Sequence, residues 1–479
     1  MAPRSRSLTL AALLVSPGAF SQPRPSARDN PRHAPTTAVS RPSTARSPRP
    51  TNTHRHPSLT TPLREGARDA ARNPLGPHGV TPEAPRRPPP TETALVLPPP
   101  EEPPRPWSAC SLDGGITRVE LHTGGLQPVQ VVLTAGQGRV YGLVVLGRPG
   151  GGRRGMVFPE SRWVSFQGRT PAVRPGPAVE PDPLLAVTPS GVVVLSSEPP
   201  PSTRRVNRTV LDPTGAVRVP RTVLPGTEGL ALDSPLVPWR DGLAVVLGRP
   251  TDTESDTRTE LLHLLGHDGS LRRPAVTLTT ETRDDAQGLY RAGLCPSPDG
   301  VSLTALWTIH GGPRAGVWTS RGITLRTTPA PVRVGRPPNG AFGPEATPWG
   351  FVYRHAVEGD GSLTELLTQP WSEAGVGAPR SLGRYWDPVL SWGERGAVLL
   401  GQRSGERVGE VEARLSHTAG PRATVRPVAL PAGALDALGD AVDVALAATP
   451  GGAVAAWITP EGEADSAPRA LSVARVACR

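Results

Sequence analysis

The sequence predicts an all-β fold, a seven-bladed β-propeller preceded by a disordered Pro/Arg-rich segment, and three observations predict it. Short apolar runs pair across glycine-bearing turns, the pairs recur about every fifty residues, and proline or glycine interrupts nearly every fifteen-residue window that might have formed an amphipathic helix. The clearest pair is Leu294 to Trp307, LCPSPDGVSLTALW. Its proline presets φ, its aspartate can bond its own backbone, and its glycine accepts the positive φ that a three-residue hairpin loop requires. Looser copies stand at Thr188 to Gly191 (TPSG), Thr347 to Gly350 (TPWG) and Thr449 to Gly452 (TPGG).

Taken in order, the runs that precede a turn are Val129 to Thr134, Pro183 to Val187, Ala231 to Val237, Tyr290 to Cys295, Gly343 to Ala346, Pro388 to Ser391 and Val442 to Ala448. Each is followed by a short, unbroken apolar run of the kind covered on both faces, such as Val140 to Leu146 or Leu243 to Leu247. Most units add a more polar hairpin, clearest at Thr259 to Gly266, HDGS, Leu271 to Thr279, and again at Arg205 to Leu211, DPTG, Ala216 to Leu224. Four strands per unit is the blade pattern of a propeller. The best helix candidate, Gly433 to Val444, reads equally as a loop.

The last unit has only three strands, and Ile116 to His122, alternating apolar and polar, is the natural fourth. That pairing closes the ring, hides two edges, and brings Cys110 toward Cys478, so a disulfide is expected between them. Cys295, inside an apolar run, reads as a buried free thiol.

Residues 1–21 have a signal-peptide layout, with two arginines before the apolar core Leu8 to Val15 and small residues at Ala19 and Ser21. Residues 22–106 hold 22 of the 61 prolines and 13 arginines against 7 acids, with almost no apolar clusters, and read as a disordered spacer. Residues 107–479 form the propeller. No stretch has the eighteen or so apolar residues of a membrane span. The net charge of +10 divides into +2 for the signal region, +6 for the spacer and +2 for the rest. The folded part is therefore nearly neutral, which argues against a nucleic-acid surface.

SPDG at Ser297 to Gly300, followed by an apolar strand, resembles the repeat of TolB-like β-propellers, relatives of the WD-type repeat. Val301 stands where that family usually has a basic residue. The resemblance implies a propeller and names no partner.

Trp239, Trp349 and Trp392 fall in or beside the first turn of their units, which would put them on one face, suited to stacking on sugars or anchoring a protein. The competing reading is core filling, since ten tryptophans accompany only five phenylalanines. His263 and His267 lie on a strand and turn, where a four-residue spacing does not guarantee a shared side. Asp252, Glu254 and Asp256 lack the glycine of a calcium loop, and the adjacent Asp284 and Asp285 read as polar loop. No GxSxG nucleophile motif and no Asp-box is present. The expectation is an exported, monomeric, cofactor-free binding or scaffold propeller that recognises an envelope or extracellular protein or polysaccharide. The alternative is a glycan-active hydrolase or lyase on the same ring.

Overall fold

The glycine-bearing turns set the architecture. In the computed structural model, Thr188 pairs with Gly191 and Thr449 with Gly452, each across two intervening residues, and Gly136 with Arg139 and Gly393 with Gly396 do the same. The structure describes residues 105–479 apart from 150–155, 168–169, 199–203, 240–241, 250–256, 283–291, 298–299, 310–314, 336–340, 348–349, 357–362, 373–374, 405–410, 421–422, 437, 439–440 and 462–467. The signal segment 1–21 and all but the last two residues of the spacer 22–106 lie outside the described residues.

Glycine is required at the exit of several turns for a reason that reaches across the sheet. Gly191, Gly242 and Gly452 have φ of 133°, 149° and 147°. A Cβ on them would collide with the carbonyl oxygens of Leu211, Leu265 and Val476 respectively, each on the next strand. Only a residue without a Cβ lets the third strand approach so closely.

The sheets are antiparallel and follow chain order. Blade 1 runs Gln127–Gly136, Arg139–Pro149, Met156–Ser165, Ala172–Pro175; blade 2 runs Leu184–Thr188, Gly191–Ser197, Val206–Leu211, Val217–Val223. In blade 3, Ala231–Leu232 and Val237–Trp239 both pair with Gly242–Arg249, followed by Thr257–Leu265 and Val276–Thr282. The first strand of this blade is split because Ser234 replaces the backbone there: its Oγ accepts the Val246 N–H at 2.8 Å. Blade 4 comprises Gly293–Pro296, Leu303–Ile309, Gly316–Ile323 and Val332–Gly335. Its first hairpin encloses six residues rather than the expected three, since Pro296 pairs with Leu303. Ser297 closes that loop, donating from its amide and its hydroxyl to the Ser302 carbonyl and accepting the Ser302 N–H at 3.0 Å.

The seven-blade expectation is corrected to six. Blade 5 is one eight-stranded sheet, from Ala341–Thr347 to Arg426–Pro427, and takes the place of two expected units. The strand Arg380–Gly393 is the cause. Its first half pairs with Leu363–Ser372 and its second half with Gly396–Ser404, with an irregularity between Trp386 and Val389, so the sheet continues where a break was expected.

Blade 6 closes the ring as anticipated. Asp443–Thr449, Gly452–Pro460 and Arg469–Cys478 are joined on the outside by Cys110–Val119, and Cys110 stands directly opposite Cys478 with a disulfide between them. Trp107 seals the join: its indole is 2 % exposed and donates to the Pro450 carbonyl at 3.3 Å, and a side chain on Gly396 would strike its ring.

The core is a ring of layers between successive blades rather than one centre. Val144, Leu146 and Val164 of blade 1 pack on Ala456, Ile458 and Leu471 of blade 6; Val193 and Leu195 of blade 2 pack on Leu243 and Val245 of blade 3. The free Cys295 is buried, which pushes its thiol up to about 11.

Candidate site at the carboxylate end of the ring

The first strands of neighbouring blades lie against one another, from Asp443–Thr449 to Gln127–Gly136 to Leu184–Thr188, so they line the middle of the ring. These three run in the same sense, each leading through a two-residue turn into the second strand of its blade. One end of the ring is therefore built from those turns, and the other from the residues that begin the first strands.

Of the predicted tryptophans, two are described at the turn end, and they lie in separate apolar clusters. Trp239 is 4 % exposed and buried with Leu294, Leu303 and Trp307 of blade 4, so it offers no face to a ligand. Trp392 is half-buried beside the Val352, Leu366 and Leu382 cluster of blade 5. Trp349 lies outside the described residues. What remains open there is a shallow hollow of about 210 Å³ between hairpin tips, lined by Gln137, Arg139, Glu394 and Thr449.

The opposite end concentrates carboxylates. Asp443, the first residue of its strand in blade 6, accepts the backbone N–H of Val131 in blade 1 at 2.6 Å. Burial pushes its carboxyl up to about 7, against these backbone hydrogen bonds, and the nearby charge of Asp182 adds to the rise. Asp182, just before the first strand of blade 2, is locked to blade 1 by a reciprocal pair. The Gln130 amide donates to Asp182 Oδ1 at 2.7 Å, and the Asp182 N–H donates to Gln130 Oε1 at 2.8 Å. Asp182 is exposed and holds a φ of 55°, a left-handed conformation that few residues with a side chain adopt. Three consecutive blades thus bring a half-buried carboxyl, an amide and an exposed carboxylate to one place.

Two further polar groups support this end. In blade 2, Glu180 accepts Ser196 Oγ and pairs with Arg221, which also reaches Glu198 at 3.7 Å. In blade 3, Arg258 bridges Asp233 at 2.7 Å and Glu260 at 2.8 Å. Glu260 is 1 % exposed and sits with Asp233 over Gly248, where the absence of a side chain leaves them room. Burial, then the neighbouring Asp233, drives the Glu260 carboxyl well above its ordinary range, against the pull of the Arg258 guanidinium.

His263 is buried, and burial lowers its imidazole to about 4; His267 offers its carbonyl to Thr188 Oγ1 at 2.7 Å. Among the described residues no group of three or more metal-ligating side chains occurs. The acidic stretches 252–256 and 284–285 lie outside the described residues.

Asp182, Asp233 and Asp443 were not singled out from the sequence, where acids were compared only with their immediate neighbours. A signal was present at the level of the repeat. An aspartate stands just ahead of the first strand's apolar run in DPLL (182–185), DSPL (233–236), DPVL (387–390) and DVAL (443–446).

No protein-family model matches the chain, and no curated protein matches it, so the TolB-like likeness rests on one motif within a shared architecture. Solved structures are weakly similar. The β-propeller domain of the Trilobed protease from Pyrococcus furiosus shares 10 % identity over 71 % of this chain and 93 % of that one, with a TM-score of 0.36. Prolyl oligopeptidase B from Galerina marginata shares 12 % over 70 % of this chain and 46 % of its own length, at 0.40. An α-L-arabinofuranosidase from Lactobacillus brevis shares 12 % over 51 % of this chain and 84 % of its own, at 0.29. Similarity at this level assigns neither substrate nor mechanism.

Proposed function

We propose that the chain is an exported recognition propeller that binds a glycan at the carboxylate end of its ring. The observation that carries this reading is the convergence of Asp443, Gln130 and Asp182 from three consecutive blades. An exposed carboxylate accepts hydrogen bonds from sugar hydroxyls, a carboxamide both donates and accepts, and a protonated carboxyl donates, which together match a polyol better than an apolar or cationic partner. Because Gln130 and Asp443 sit on strands and Asp182 is tied to Gln130 by reciprocal bonds, little ordering is left to be done on binding. Export is supported by the disulfide, which persists in oxidising compartments, and among the described residues no helix is long and apolar enough to cross a membrane.

One observation favours a second reading, glycan hydrolysis. Asp443 titrates near neutrality beside the exposed Asp182, and a carboxylic acid paired with a carboxylate is the acid–base arrangement of glycosidases. Incubating the full chain with a panel of purified polysaccharides separates the two. Retention of a polysaccharide at unchanged length supports recognition, shortening supports hydrolysis, and neither retention nor shortening of any glycan contradicts both.

A further inference from the structure

Asp443 differs from the other sunken carboxyls described at the carboxylate end in having no cation. Glu180 has Arg221, and Asp233 and Glu260 share Arg258. Asp443 instead accepts two backbone N–H groups, from Val131 of blade 1 at 2.6 Å and from the adjoining Val444, and among the described residues no guanidinium acts on it. Its place follows from the strand. Asp443, Ala445 and Ala447 alternate toward blade 1, and the two alanines are buried there with Val131 and Ile458. The Val442 N–H donates to the Ile458 carbonyl at 2.8 Å, which fixes the backbone from which the carboxyl projects. The carboxyl therefore caps an apolar layer, where a bare charge is costly and a proton is retained.

The elements packed on this strand offer little to offset that charge. Gln127–Gly136 and Gly452–Pro460 carry no charged or titratable side chain. Arg139–Pro149 carries Arg139 beside its turn, Tyr141 in the layer shared with blade 2, and the exposed Arg148. Arg380–Gly393 carries Arg380, Arg384, Tyr385 and Asp387, and Gly396–Ser404 carries Arg403. Among the described residues the charge that acts on Asp443 is that of Asp182, and it is of like sign. The link to the ligand groups is direct, because Val131 follows Gln130, whose carboxamide holds Asp182 in a reciprocal pair. A proton on Asp443 gives this place a hydroxyl donor beside one carboxylate. Its loss leaves two carboxylates, both acceptors only, and a sugar hydroxyl would then have to displace water from two like charges.

On the glycan reading above, from which this follows, we propose that recognition is proton-gated: the site holds an uncharged glycan while the Asp443 carboxyl carries its proton and releases the glycan when that proton is lost. Burial, with the charge of Asp182 adding to it, brings that loss to about pH 7. Holding therefore belongs to mildly acidic surroundings and release to mildly alkaline ones. A glycan that engages the protonated form raises this carboxyl further, so binding takes up protons at and above neutrality.

The test passes the oxidised full chain over immobilised dextran, laminarin, arabinan, galactan and mannan at pH 5.5, 7.0 and 8.5, with circular dichroism checking the fold at each pH. At least one polysaccharide is expected to be held about tenfold or more tightly at pH 5.5 than at pH 8.5, a single proton giving up to about tenfold per pH unit above its midpoint. Isothermal titration with that polysaccharide at pH 7.5, in phosphate and in Tris, should give different heats, corresponding to uptake of up to about one proton per site. Asp443→Asn, which keeps an acceptor for the Val131 N–H and carries a donor at every pH, should bring the ratio between pH 5.5 and pH 8.5 within about twofold. The buffer comparison is made on the natural chain, so it decides the matter even where the asparagine variant folds poorly. Equal retention at all three pH values, equal heats in the two buffers, or a folded Asp443→Asn that keeps the full ratio overturns the gate and leaves glycan recognition standing. No retention of any of the five at any pH overturns the gate and the glycan reading together.

Discussion

The two ends of the ring are made by different physics. The turn end is dictated by backbone: Gly191, Gly242 and Gly452 sit where the next strand's carbonyl leaves no room for a Cβ, and the chain is locked there by Trp107 and the Cys110–Cys478 bond. The carboxylate end is dictated by side chains, with Asp443, Asp182, Gln130 and the Asp233–Arg258–Glu260 group held by hydrogen bonds between blades and within blade 3. A backbone constraint yields rigidity without chemistry. Half-buried carboxyls yield chemistry, and with it a dependence on pH.

The largest expected effect breaks the turn end. Cys478→Ser opens a closure between residues 368 apart in sequence, which in the chain-entropy model removes at most about 6 kcal/mol. Chemical denaturation of the oxidised protein and the variant checks it, and the loss should be the same at pH 5 and pH 8. At the other end, Arg258→Leu strips the shared cation from two buried carboxyls and should destabilise by about 3 kcal/mol or more. Glu260→Gln should be far milder, because burial and Asp233 already disfavour the charged form of its carboxyl and the amide removes that charge. A larger loss for Glu260→Gln than for Arg258→Leu would reverse this account of the group.

Asp443 supplies the pH test. Its carboxyl rises from 3.8 to about 7 on folding, so between those values the folded state holds the proton more tightly than the unfolded one. Stability from this group is full below about pH 4 and declines as pH rises toward 7, by no more than about 4 kcal/mol. Asp443→Asn, which can still accept the Val131 N–H, should flatten that decline in urea titrations across the range. Gly452→Ala, with its φ of 147°, should destabilise by about 1 to 3 kcal/mol at every pH.

The same contrast explains what could be read from the sequence. Turn glycines, their flanking apolar runs and the terminal cysteines are local or positional signals, so the propeller, its terminal closure and the disulfide were legible. The blade count was not, because nothing local in Arg380–Gly393 marks a strand that serves two sheet halves. Nor was the carboxylate end. Asp182 and Asp443 are 261 residues apart and meet only because the ring brings blade 6 beside blade 1. The orientation of Trp239 was not legible for a related reason: a position beside a turn does not say whether the side chain points out or, as here, into the layer shared with blade 4.

The smallest structural effect should carry the largest functional one. Asp182→Asn, at an exposed position, should leave Tm nearly unchanged. The most direct measurement is glycan-array binding by the full chain beside its Asp182→Asn and Trp392→Ala variants. Recognition at the carboxylate end predicts one glycan class retained by the wild type and by Trp392→Ala and weakened at least tenfold by Asp182→Asn. A bound glycan that is indifferent to Asp182→Asn and lost with Trp392→Ala would place recognition at the turn end and contradict the account.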